Sequence, residues 1–448
     1  MGTLIKNAQL INEGRSWISD LLIEDDRISR IDWEIASGNH QIIDATNLIL
    51  IPGMIDDQVH FREPGLTHKA TIQSESTAAV VGGITSFMDM PNTIPNTLTL
   101  ELLEEKYAIA NKTSIANYSF YMGITQHNLD EALRINNETI CGITDDGLYF
   151  NQTESILCNH PEFLENLFSR SGAMIALHCE DEPLIHRNLA VAKSHFSGKI
   201  PFSQHPIIRS AEACYNASKT VIDLAKKHKN RLHIFHVSTA AESQLFDEHI
   251  PIQTKRITGE ACVHHLFFND EAYKTKGSLI KWNPAIKTER DRLGLIRALN
   301  EKKLDIIATD HAPHTLTEKN QNYEQALSGG PLVQHALPAL LELHHDNLIS
   351  LPDLVYKTSH NVAEIYRIRE RGFLREGYFA DLVLLDINSL WNDLDKRIFS
   401  KCGWSPFHGT TFRSEVVKTF VNGKLVFDFG KINPVPVGKR LTFEKHRF

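Results

Sequence analysis

Eight times along this chain a short apolar run ends abruptly in polar residues, and helix-like segments lie between many of those runs. The runs are 48–54, 84–92, 117–124, 140–147, 173–181, 232–239, 257–265 and 304–314, the one at 140–147 being the weakest. Segments 99–112, 211–228 and 288–303 carry the helix-like pattern. Strands buried on both faces read as nearly continuous apolar runs, and alternation with helices makes a parallel sheet. Eight such units predict an α/β fold, a (β/α)8 barrel with its chemistry at the C-terminal ends of the strands.

The two chain ends have β character instead. "TLIKNAQLI" and "DLLIEDDRISRID" open the chain, and "YFADLVLLDI" and "SEVVKTFVNGKLVFDFGK" come near its close. The "NG" pair at 422–423 between apolar runs is a hairpin signal. Residues 1–52 and 372–448 are therefore expected to form one small β domain beside a barrel spanning 53–371.

Composition narrows the function. A net charge of −8 gives no basic field of the kind nucleic-acid binding needs. No run approaches the roughly 18 apolar residues of a membrane span. The opening residues do not read as a secretory leader. The six cysteines, Cys141, Cys158, Cys179, Cys214, Cys262 and Cys402, are scattered, as expected of free thiols in a cytoplasmic enzyme.

Polar residues recur where the strands end. His60 closes the first, Asp146 the fourth, His178 the fifth, His236 the sixth and Asp310 the eighth. Imidazole and carboxylate donors gathered at one barrel face suit a divalent metal with open positions for water and substrate. Each residue alone would read as structural or as a turn residue; five at matching topological positions read as a site.

The segments "HFREPG" (60–65), "MPNT" (90–93), "TDDG" (144–147), "LHCED" (177–181), "HVST" (236–239), "WNP" (282–284) and "ATDHAPHTLTEK" (308–319) resemble the motifs of class I dihydroorotases. These belong to the amidohydrolase superfamily. The resemblance covers nearly the whole chain. It implies an amidohydrolase-type barrel and reversible cyclisation of N-carbamoyl-L-aspartate to L-dihydroorotate in pyrimidine biosynthesis. It also implies Zn²⁺, held by His60, Asp146, His178, His236 and Asp310, with Asp310 as general acid and base. Many relatives bridge two metals with a carboxylated lysine on strand four. This chain has no lysine between Lys112 and Lys193, so Asp146, preferred over Asp145, takes that place.

The substrate carboxylate falls, by the same resemblance, to Arg62, Asn92 and His314, and the ring to Asn283, with backbone contacts from Gly329, Gly330 or Pro331. A glycine turn is the competing reading of "SGGPLVQH". His264 and His265 are expected to pack or support rather than ligate, and Cys179 to be core.

One position departs. Most of the family has a histidine where this chain has Gln58, and an amide oxygen is a poor Zn²⁺ donor. One firmly bound ion is therefore expected rather than two. Competing readings are a dihydroorotase-like protein with impaired catalysis that partners aspartate transcarbamoylase, and a hydrolase of another cyclic amide of the hydantoin or allantoin type. The expected assembly is a homodimer acting on a small molecule, with no nucleic acid or membrane.

Overall fold

The computed structural model describes residues 2–148 and 160–445. Its centre is a closed barrel of eight parallel strands. In order they are Met54–Val59, Ile84–Asp89, Asn117–Phe120 continued by Met122–Gly123, Ile143–Thr144, Met174–Leu177, Arg231–Ile234, Ile257–Cys262 and Ile306–Ala308. Each pairs in parallel with the next. The ring closes where Val59 bridges His311 in parallel and His60 N donates to His311 O at 2.7 Å. All eight strands foreseen from the apolar runs are present. Cys158 lies outside the described residues, and the other five cysteines are free.

The helices form where local chemistry starts them. Thr99, Ser210 and Thr288 accept from the third residue of Leu100–Thr113, Ala211–His228 and Glu289–Asn300, which supplies an acceptor for an otherwise orphan amide. These match the helix-like segments of the sequence. Among the described residues no helix is long and apolar enough to cross a membrane.

Both chain ends enter one nine-stranded sheet. Thr3–Asn12 pairs antiparallel with Arg15–Glu24 and parallel with Ile49–Pro52. Ile49–Pro52 then pairs with Leu382–Asp386, which leads to Glu415–Val421 and Lys424–Asp428. The last two form the hairpin that "NG" announces, with φ of 47° at Asn422 and 75° at Gly423. Only glycine fits at 423, where a Cβ would stand 2.4 Å from Asp25 O. A buried polar network ties this sheet to the barrel. Asp381 pairs with Arg371 and accepts from Asn422 N and from Asn117 Nδ2 at the start of strand three.

Strand one is unusual for a fully buried strand, since "MIDDQV" carries three polar side chains. Asp56 accepts from Thr309 Oγ1 at 2.6 Å and Thr309 N at 3.1 Å, and Asp57 accepts from Tyr366 Oη at 2.8 Å. Those bonds offset the cost of burying polar groups.

The loops after strands one and two share a single buried ion pair. Lys106, fully buried on the helix between strands two and three, lies 2.7 Å from Asp89 Oδ2 and donates to Met90 O at 2.7 Å. Asp89 Oδ1 accepts from Phe61 N at 2.8 Å. One lysine thus anchors the chain around both His60 and Asn92. Lys106→Met, which leaves Asp89 buried without its cation, is expected to cost about 3–5 kcal/mol of stability. Urea denaturation measures this, and a loss under about 1 kcal/mol, the range of an exposed pair, would contradict the anchoring role.

Candidate active site

The strand ends bring the site residues together within a few residues of each ladder's last pair. Three of them leave their strands with positive φ: Arg62 at 68°, His236 at 38° and Asp310 at 51°. Residues other than glycine seldom adopt this region, and such strain concentrates where a side chain must be aimed. The Asp310 carbonyl accepts from Trp282 Nε1 at 3.3 Å, which holds the strand-eight exit in place.

Asp146, His178 and His236 converge, with one donor atom from each lying within 4.8 Å of the others. Asp146 Oδ1 lies 3.8 Å from His178 Nδ1 and 3.9 Å from His236 Nε2. Asp145 turns away and accepts from His178 N at 3.3 Å. His60 Nε2 is 3.4 Å from Asp146 Oδ2 and 3.2 Å from Asp310 Oδ1. Its other nitrogen, Nδ1, donates to Asn92 Oδ1 at 2.9 Å, since that oxygen can only accept. All these groups are buried except Asn92, which is half-buried.

Electrostatics follow from that geometry. Burial alone would raise the Asp146 carboxyl, but the imidazoles of His236, His60 and His178 hold it well below the usual carboxylate range. Burial likewise works against His236, yet the Asp146 carboxylate beside it pushes it up to about 9. A buried carboxylate with two imidazoles is a donor set for a borderline divalent ion, so the residues fit the metal that the family uses. His178 is further oriented by Glu180, whose Oε2 accepts from its Nε2 at 3.0 Å, while Arg209 pairs with the same carboxylate. This carboxylate–imidazole support is typical of metal ligands. Sequence reading missed Glu180, although its place two residues after His178 in "LHCED" was a signal.

Gln58 sits inside this group, fully buried. Its Nε2 donates to Asp146 Oδ2 at 3.2 Å, and its Oε1 lies 3.6 Å from Cys262 Sγ. The amide therefore presents a hydrogen to the shared carboxylate and its oxygen to a thiol. It thereby engages one of the two Asp146 oxygens.

A cavity of about 210 Å³ opens above these residues, lined by His60, Asp146 and Asp310 together with Arg62, Lys69 and His314. Asn92, Asn283 and Gly329 also line it. Arg62 is pushed down to about 10 by burial, partly offset by the charges of Asp89, Asp310 and Glu318, so it stays cationic near neutrality. Arg62 Nε donates to Pro313 O at 3.2 Å. Among the described residues no carboxylate reaches it within 4.0 Å; the nearest ion pairs belong to its neighbour Lys69, on Glu318 at 2.9 Å.

His314 is held as a neutral ring by burial and by the charges of Arg62, Lys69 and Lys319. Its Nδ1 accepts from Lys69 Nζ at 3.1 Å, so the proton sits on Nε2 and goes to Ser328 O at 3.0 Å. Arg62 Nη2, 3.2 Å from that same protonated nitrogen, is left without an acceptor there. Asn283 Oδ1 is buried and has no hydrogen-bond partner.

Gly329 contributes room rather than a free backbone group. Its N donates to Lys281 O at 2.8 Å and its O accepts from Lys319 Nζ at 2.6 Å, while a Cβ would stand 2.6 Å from Ala312 O. Gly330 lies behind the wall, its carbonyl accepting from Ala312 N. Lys69, which sequence reading passed over, sits in the cavity wall.

Beneath the site lies a second buried layer. His233 Nε2 stands 3.2 Å from Glu260 Oε2 and 3.4 Å from Asp57 Oδ2, and Asp57 Oδ1 has no partner.

The amidohydrolase family model matches residues 49–426. A dihydroorotase of Ehrlichia chaffeensis is 32% identical over 409 residues, covering 88% of this chain and 86% of its own length. One of Pyrococcus furiosus is 30% identical over 426 residues, covering 95% and 93%. Among solved structures, the L-hydantoinase of Arthrobacter aurescens superposes with a TM-score of 0.90 at 23% identity, covering 98% of this chain and 99% of that one. The dihydropyrimidinase of Brevibacillus agri does so with 0.86 at 22%, both chains covered in full. These two likenesses speak for the fold. The chain belongs to the amidohydrolase family, a family of metal-dependent hydrolases, and within it to the dihydroorotases. It is a cyclic amide hydrolase.

The layer under the site has a consequence for pH. Burial pushes Glu260 up to about 8, and burial followed by the Glu260 charge raises Asp57 well above the usual range. A carboxyl raised in the folded state keeps its proton there, so its stabilising effect is full below the unfolded pKa of about 4. It is lost as pH rises through the folded value. The metal-free protein should therefore lose stability from about pH 5 to about pH 8, and Asp57→Asn should lose less over that range. Melting temperatures in chelator at the two pH values check this; an equal or steeper fall in the variant contradicts it.

Proposed function

We propose that this cleft performs the reversible ring closure of N-carbamoyl-L-aspartate to L-dihydroorotate, with Arg62 as the carboxylate receptor. The observation that carries the reading is Arg62 itself: a buried guanidinium without a carboxylate partner, in the wall of the cavity that also exposes Asp310. A buried cation calls for an anion, and a guanidinium offers a carboxylate two parallel donors. Dihydroorotate carries such a group. Hydantoin and allantoin do not.

In this proposal His60, Asp146, His178, His236 and Asp310 hold the metal, Zn²⁺, with one ion held firmly because Gln58 supplies no imidazole. Bound there, the ion would supply Lewis acidity that polarises the amide carbonyl and acidifies water. The chain does the rest. Arg62, the Asn92 amide and His314 orient the substrate carboxylate, and Lys69 fixes the His314 tautomer. Asn283 Oδ1 accepts from the ring N–H. In the hydrolytic direction, water oxygen bonds to the ring carbonyl carbon and its proton passes to the Asp310 carboxylate. The carbon–nitrogen bond then breaks, and Asp310 returns that proton to the leaving nitrogen. Closure runs the same steps backwards.

The same reading includes a cytoplasmic homodimer. Gln58 also favours one alternative, a chain of weakened catalysis that acts in association with aspartate transcarbamoylase, because its amide takes up an Asp146 oxygen.

Two variants separate the roles. Arg62→Met is expected to raise KM for dihydroorotate about 10–100-fold, the worth of a lost charged hydrogen bond, with a smaller change in kcat. Equal activity on hydantoin and dihydroorotate in the parent protein would sink the carboxylate reading. Asp310→Asn should lower kcat about 10²–10⁴-fold at an unchanged melting temperature. Parent-like turnover in that variant would remove Asp310 from the proton path.

A further inference from the structure

Strand seven runs Ile257–Cys262 and passes at once into the short helix Val263–Phe267. The sequence at that junction is Cys262, Val263, His264, His265, and donor atoms from Cys262, His264 and His265 all lie within 4.8 Å of one another. All three side chains are buried, two of them at 0% exposure and His265 at 2%.

Two independent observations point to a ligand. Among the described residues neither ring nitrogen of His264 makes a well-formed hydrogen bond, the contact with the Thr309 backbone falling short of one. The ring is fixed by stacking on Trp282, with centroids 4.7 Å apart and planes 18° from parallel. A buried imidazole with both nitrogens unpaired is costly unless something binds it. His265 is set up differently: its Nε2 lies 3.1 Å from Pro284 O, which can only accept, so the proton is on Nε2. That leaves Nδ1, also unpartnered, with its lone pair exposed to the group. An imidazole whose far N–H is held by a carbonyl is the usual arrangement of a metal ligand.

Cys262 completes the set. Its Sγ lies 3.6 Å from Gln58 Oε1 and 3.5 Å from Glu260 Oε1, contacts a thiol proton can make but a cation would replace. We propose that Cys262, His264 and His265 form a second metal site, for a zinc-class divalent ion, beside but separate from the Asp146–His178–His236 group. One thiolate and two imidazoles select such an ion over magnesium or manganese. On binding, the thiol gives up its proton to solvent. Gln58 thus stands between two sites, its nitrogen on Asp146 and its oxygen towards Cys262. The inference does not depend on which cyclic amide the cleft hydrolyses.

The test uses the full chain loaded with zinc or with cobalt. Ligands drawn from His and Asp alone contain no sulfur, so only the proposed site gives a thiolate-to-cobalt charge-transfer band in the near ultraviolet. It alone gives a zinc–sulfur distance of about 2.3 Å by X-ray absorption. Both signals are expected in the parent protein and in His178→Gln, which removes a ligand of the other group. Both should vanish in Cys262→Ser, with bound zinc falling by one ion per chain. His264→Asn serves as a second variant if the serine variant does not fold. A parent protein with no sulfur neighbour at its zinc would overturn the proposal, and so would a charge-transfer band that survives in folded Cys262→Ser.

Discussion

The site depends on the closure of the barrel between strands one and eight. His60 N donates to His311 O at 2.7 Å, and Val59 and His311 bridge in parallel. The residues flanking that seam are His60 and Arg62 on one side and Asp310 and His314 on the other. Four of the polar side chains that line the cavity are therefore set by one pair of adjacent strand ends. Parallel closure also fixes their direction, because every strand delivers its C-terminal residues to the same face. His311 is itself pinned, with Nε2 on Glu75 Oε2 at 2.8 Å and Nδ1 accepting from Leu332 N at 2.9 Å. Its ring thereby reaches from the seam to helix Ile72–Val81 and to the loop after strand eight.

Charge within the cleft is divided by that frame. Imidazoles and carboxylates gather around Asp146, where opposite charges hold one another in ionised form. Arg62, Lys69 and the neutral ring of His314 form a cationic wall. His314 shows how the two lysine neighbours serve different ends. Lys69 fixes its tautomer from the Nδ1 side, while Lys319, fully buried, donates to Leu327 O and Gly329 O and so shapes the loop that Ser328 O belongs to. An anion entering the cavity meets a guanidinium that is only 6% exposed, that of Arg62.

Much of this was legible in the sequence because it is local. Each strand is an apolar run that stops at a polar residue, so His60, Asp146, His178, His236 and Asp310 could be placed at strand ends without a structure. The "NG" hairpin needs positive φ at both central residues and takes it. Residues 311–326 are largely polar in sequence, yet the segment is tightly held. Thr315 caps the turn Leu316–Lys319 through a reciprocal bond with Glu318, and Lys319 and Tyr323 are buried. What could not be read is what meets across the barrel. Gln58 and Cys262 lie on strands one and seven, and Asp57 meets Glu260 and His233 from strands seven and six. No periodicity within a strand records such a partner. Gly329 was read as a source of backbone contacts for the opposite reason: composition marks a glycine, but not that its N and O are already bonded.

Gln58 then takes its meaning from its neighbours rather than from the histidine it stands in for. A glutamine amide has one donor end and one acceptor end, and its setting decides which faces the cleft. Asp146, held as a carboxylate, can only accept, so it draws the nitrogen. The Cys262 thiol can donate, so it draws the oxygen. Turning the amide to offer its oxygen to an ion beside Asp146 would set its N–H₂ against that thiol and give up the bond to the carboxylate. The orientation of the amide at position 58 is thus stabilised by the polarity of strands four and seven, which keeps its donor end and not its acceptor end on Asp146.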